Sequence, residues 1–137
     1  LQKHMKLSEL IPKVEGIELA VVLENDTPEY AVYLHNAKED IIEGIIITSV
    51  GYGENPTTGE KIKTATLRHS LEVMLPNEVA KIELIVPEVF GLYNEYWVSF
   101  WINEELFDKK FLFLPDAIHA DKLTMLDSFG KLGVLLS

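Results

Sequence analysis

Between Glu95 and Leu114 the chain alternates so regularly that strand, turn and pairing can be read together. Tyr96, Val98, Phe100 and Ile102 fall on one side of an extended chain, and Glu95, Trp97, Ser99, Trp101 and Asn103 on the other. A period of two marks a strand with one buried face. A second aromatic run, Leu106 to Leu114, follows, and Asn103-Glu104 between them suits a two-residue hairpin loop because Asn tolerates the positive φ such turns require. Pairing Ile102 with Glu105 sets Phe100 opposite Phe107 and Tyr96 opposite Phe111, with Trp101 opposite Leu106 and Trp97 opposite Lys110 on the other face. A slip of one residue would mix the faces, so this register is expected. The core face is then Tyr96, Val98, Phe100, Phe107, Phe111 and Phe113, interrupted by Lys109. The opposite face, with Trp97, Trp101, Leu106, Leu112 and Leu114, is too apolar for an ordinary solvated sheet, which points to a cover: the protein's own C-terminal tail, a second copy, or another molecule.

The remaining pattern predicts more short strands. Residues 1 to 13 read as a short helical or irregular lead ended by Pro12. Ile17 to Leu23 alternates as a strand with one buried face, Asn25-Asp26-Thr27-Pro28 is turn chemistry, and Tyr30 to His35 returns with Tyr30, Val32 and Leu34 inward. Ile41 to Val50 is apolar on both faces and β-branched, as in the middle of a sheet. Gly51 to Gly59 reads as a long loop, Lys61 to Leu71 as an edge strand guarded by lysines, and Ala80 to Val86 as a half-buried strand with Ala80, Ile82, Leu84 and Val86 inward. Asp116 to Leu126 has room for one or two helical turns. Leu132 to Leu136 is expected to dock as an extra strand on a sheet edge or over the Trp97/Trp101 face.

About seven short strands with turns between them and no long helix indicate an all-β fold. The expected architecture is a single-domain antiparallel β-sandwich over residues 1–137, immunoglobulin-like, with a short irregular or helical C-terminal segment. A small barrel is the alternative. A length of 137 residues suffices for one core.

Charge narrows the function classes. The formal net charge is -10 and Arg68 is the one arginine, a balance opposed to phosphate neutralisation and to anionic membranes. Cysteine is absent, so neither disulfides nor thiolate metal sites are available. The start, LQKHMKLSELIPK, lacks the apolar core of a signal peptide, and the expected location is cytoplasmic. His4, His35, His69 and His119 are scattered without metal-ligand spacing, and no G-x-S-x-G elbow is present, so no metal, cofactor or catalytic residue is expected. Ser70 beside His69 is adjacency along a strand, with the two side chains on opposite faces. Gly51-Tyr52-Gly53 lacks the third glycine, the lysine and the following helix of a phosphate loop.

The segments GIELAVV, YLHN, IIITSVGYG, TATLRH, LPNEVAKIE, PEVFGLYNEYWVSFWI and FDKKFLFLPDAI, with a closing GKLGVLL, resemble a family of short bacterial proteins of unknown function. Its members are often labelled phenylalanyl-tRNA synthetase alpha subunit. The resemblance runs over about Ile17 to Leu136, and its most specific part is NEYWVSFWI followed by KKFLFLP. The label would imply arginine-dependent ATP motifs and a tRNA partner. With Arg68 alone and no long helix those roles have no residues to fill them, and no catalytic residue carries over.

The leading expectation is therefore a non-enzymatic protein that acts through protein contacts, with another protein or a second copy as partner. The candidate surface is Trp97, Trp101 and Leu106, with Lys110 stacked over Trp97 as a cation-π pair. The alternative is a small-ligand-binding domain or modest enzyme using the 51–59 loop and its Tyr52. RNA association ranks last.

Overall fold

The computed structural model describes residues 14–137; the expected lead over residues 1 to 13, with His4, lies outside the described residues. Ten strands follow: β1 (Ile17–Leu23), β2 (Tyr30–Asn36), β3 (Ile42–Glu54), β4 (Lys61–Lys63), β5 (Leu67–Met74), β6 (Val79–Ile85), β7 (Tyr93–Ile102), β8 (Glu105–Phe113), β9 (Thr124–Leu126) and β10 (Lys131–Leu136). They form two antiparallel sheets packed face to face, an all-β sandwich. The first sheet has the order β6-β2-β1-β10-β9, and the second β4-β3-β7-β8 with β5 also on β3. β4 and β5 share one edge of β3, pairing with Tyr52 to Glu54 and with Ile42 to Ser49, because β7 occupies the other edge.

The topology carries the immunoglobulin pattern. β1-β2-β6 correspond to strands A, B and E, and β3-β7-β8 to C, F and G, with β5 added to the C edge. β10 and β9 extend the first sheet beyond strand A. Leu19, Val21, Val32 and Leu34 of one sheet meet Ile45, Ile47, Val98, Phe100, Phe111 and Phe113 of the other, all buried. The β7–β8 hairpin has the expected register, including Ile102↔Glu105, Trp101↔Leu106 and Trp97↔Lys110, and Asn103 takes φ 54° at its turn.

Four expectations need correction. β1 is buried on both faces, with Ala20 and Val22 as enclosed as Leu19 and Val21; it lies between β2 and β10, whose Tyr33 and Leu135 flank the small Ala20 on the outer face. The outer face of β2 beside it is roofed by Phe129, whose ring stands edge-on to Tyr33 and His35 at 6.3 and 5.7 Å. The expected loop over residues 51–59 is half strand: β3 runs on to Glu54, and the turn is confined to the residues before β4. A Cβ on Gly53 would meet Leu92 at 3.0 Å, so the glycine permits a close approach within a strand. The expected strand from Lys61 to Leu71 divides into β4 and β5, which pair with different parts of β3. In β6 a bulge at Ile82 shifts the alternation, so that Ile85 is buried while Leu84 and Val86 are exposed.

The segment after β8 holds a single 3-10 turn, Ala120–Lys122, and then β9. Among the described residues no helix is long and apolar enough to cross a membrane.

Candidate functional site

Strand alternation turns Tyr93, Glu95, Trp97, Ser99 and Trp101 of β7 to the outer face of the second sheet, beside Leu106, Asp108, Lys110 and Leu112 of β8. Trp97 and Trp101 are 48% and 41% exposed, and Leu106 is 48% exposed. Glu95 organises the row. Its carboxylate accepts from Trp97 Nε1 at 3.1 Å and from the Tyr52 hydroxyl at 3.4 Å, and pairs with Lys110 Nζ at 3.1 Å. Lys110 Nζ also stands 5.8 Å from the Trp97 ring centre. Tyr52 stacks on Tyr93 with ring centres 5.5 Å apart, which extends the aromatic row to β3. These contacts hold large, flat side chains in place.

The C-terminal strand does not cover this face. β10 pairs with β1, Val21 opposite Val134, and so belongs to the first sheet, while the two tryptophans point outward from the second. Among the described residues the stripe stays open.

A second constellation was not visible in the sequence. The bulge at Ile82 brings Glu83 opposite Val32 and turns it toward the interior, with its side chain 11% exposed. Its Oε1 receives His69 Nε2 at 2.8 Å and Ser49 Oγ at 3.0 Å, and its Oε2 receives the Tyr96 hydroxyl at 3.1 Å. Three residues from three strands, β3, β5 and β7, thus converge on one carboxylate of β6. Because that carboxylate only accepts, the histidine nitrogen facing it carries the proton. Burial first, and Glu83 second, push the Tyr96 hydroxyl far above the usual tyrosine range, so it is a neutral donor. Ser70 takes no part: it pairs with Ile46, while His69 pairs with Ile47.

Ser49, Glu83 and Tyr96 line a cleft of about 230 Å³ between β6 and the β3 edge, walled by Val50, Leu67, Leu84, Ile85, Val86 and Val89 together with polar Thr64 and Asn94. Two sequence signals point toward it: the polar pair Thr48-Ser49 in an apolar run, and a core-facing Tyr96 whose hydroxyl needs a partner. Neither identifies Glu83, whose place depends on the bulge.

No family model matches the chain, and no curated protein or solved structure shows significant similarity to it.

Proposed function

We propose that this protein acts by binding other protein chains, not by catalysis, through the outer face of the second sheet, and that its first partner is a second copy of itself. The observation that carries the reading is the open row Tyr93, Trp97 and Trp101 with Leu106 beside it. A Trp contributes on the order of 150 to 250 Å² when buried, and monomers seldom leave such aromatics clustered in water. Tyr and Trp are also the side chains that dominate protein interfaces.

Electrostatics sets the conditions for pairing. Two copies at net charge -10 repel each other, and although Lys110 offsets Glu95 on this face, Asp108 and Glu43 lie exposed beside the tryptophans. Salt should strengthen the association by screening this repulsion.

Sedimentation velocity over a concentration series tests this. The wild type is expected to shift toward dimer with concentration, and the Trp97→Ala/Trp101→Ala double variant, its fold checked by far-UV circular dichroism, to stay monomeric. A wild type that remains monomeric throughout, or a double variant that dimerises equally well, refutes the proposal.

A further inference from the structure

We infer that the cleft at Glu83 is a binding site for a small organic cation, a primary amine with a compact apolar body. The inference does not rest on the aromatic face.

The polar inventory of the cleft selects the ligand's charge. Among the lining residues Glu83 is the one charged group. Every side-chain donor in the lining is already committed. Ser49 and Tyr96 give their hydroxyl protons to Glu83. Thr64 gives its own to the Ala65 carbonyl, and Asn94 Nδ2 donates to the Val89 and Leu92 carbonyls. What the walls still offer is acceptors. A carboxylate has about four lone-pair positions, and Ser49, His69 and Tyr96 bring three protons to them, the Ser49 hydroxyl lying within reach of both oxygens at 3.0 and 3.2 Å. Asn94 Oδ1 lies toward Gly51, 3.2 Å from where a Cβ on that glycine would stand. An anion would find a negative group and no free side-chain donor, and a neutral apolar molecule would leave the negative charge of the carboxylate without a counter-charge in the lining. An ammonium supplies both the charge and the protons.

Size and lining select the ligand's body. About 230 Å³ corresponds to roughly seven or eight waters, at about 30 Å³ each. That volume holds a short alkyl chain or one small ring and excludes a peptide. Val50, Leu67 and Ile85 give it apolar walls, the arrangement of small-molecule sites in which few polar groups fix orientation. The groups touching the carboxylate, Ser49, His69 and Tyr96, hold it in place, so that it meets a cation without rearranging.

The test titrates the full chain with pentylamine, pentanol and pentanoate, probes of equal chain length and different head group, and follows backbone amide shifts by nuclear magnetic resonance. Pentylamine is expected to give saturable shifts at Ser49, Glu83 and Asn94. Pentanol and pentanoate are expected to bind at least tenfold more weakly. Glu83→Gln should weaken the amine at least tenfold. Ala65→Leu, which narrows the cleft from its exposed rim without touching the carboxylate, should do the same and provides the answer if Glu83→Gln does not fold. Trp97→Ala/Trp101→Ala should bind the amine unchanged, which separates this site from the dimer face. Equal binding of the three probes, shifts away from the cleft, no saturable shift, or undiminished binding in Ala65→Leu would overturn the inference.

Discussion

Replacing Asn36 by Ala removes a clamp that joins three parts of the sandwich. Asn36 is fully buried at the end of β2. Its Nδ2 donates to the Asp40 carbonyl at 2.9 Å and to the Leu75 carbonyl at 3.1 Å, with the Met74 carbonyl at 3.3 Å, and its Oδ1 accepts from the Lys38 amide at 3.1 Å. One side chain thus ties the β2–β3 connection to the end of β5. A net hydrogen bond contributes about 0.5–1.5 kcal/mol, and a buried group left without a partner costs about 1–3 kcal/mol. Three bonds of which some are replaced by water give a loss of about 2–4 kcal/mol. An unfolding entropy of about 2.1 cal/mol/K per residue over 137 residues is about 0.29 kcal/mol/K, so the expected fall in Tm is about 7–14 °C. Differential scanning calorimetry measures it, with Glu39→Ala in the same connection, exposed, as a control expected to change stability by no more than about 0.5 kcal/mol. A melting point for Asn36→Ala within about 2 °C of wild type would refute the clamp, since that corresponds to about 0.6 kcal/mol, no more than one weak hydrogen bond.

Two further outcomes follow from the packing and the titrating groups. A Cβ on Gly133 would stand 2.6 Å from the Val21 carbonyl oxygen and 2.9 Å from Val22 Cγ1, so Gly133→Ala should push β10 off β1 and cost about 1–3 kcal/mol, read as a lowered urea midpoint. At alkaline pH, burial and then Glu24 raise the Tyr33 hydroxyl from 10.0 to about 12, and burial and Glu83 raise Tyr96 further. Both folded-state values lie above the unfolded one, so the native state keeps its protons longer. Stability should be intact below pH 10.0 and decline as pH rises toward 12 and beyond, with a shallower decline in Tyr33→Phe, as urea titrations across that range would measure.

Legibility in the sequence followed the range of the interactions. The β7–β8 hairpin was readable to the residue because everything that sets it is local: an Asn able to take positive φ, and two aromatic runs whose faces differ. The two-sided burial of β1 was not readable, because alternation of Glu18 with Leu19 looks like a solvated face until β10 arrives from far along the chain and sets Leu135 beside Ala20, opposite Tyr33. The aromatic stripe was legible as a surface, and its cover was not, since the same apolar tail fits either sheet. The cleft was hidden for a different reason. One extra residue at Ile82 exchanges the inner and outer faces of half a strand, and a bulge leaves no mark in a pattern that reads Ile-Glu-Leu-Ile.

The pairing of β1 with β10 also sets the order in which the molecule is completed. On a growing chain β1 is the first of the described strands to emerge and β10 the last, so Leu19 to Val22 wait with one edge unpaired while everything between is made. Closing a loop that long costs about 4 kcal/mol of chain entropy, which must be met before Val21 and Val134 gain anything from meeting. The β7–β8 hairpin closes over two residues and has no such delay. During synthesis the protein is therefore a sandwich with an open seam, whose unpaired strand is buried on both faces in the finished fold.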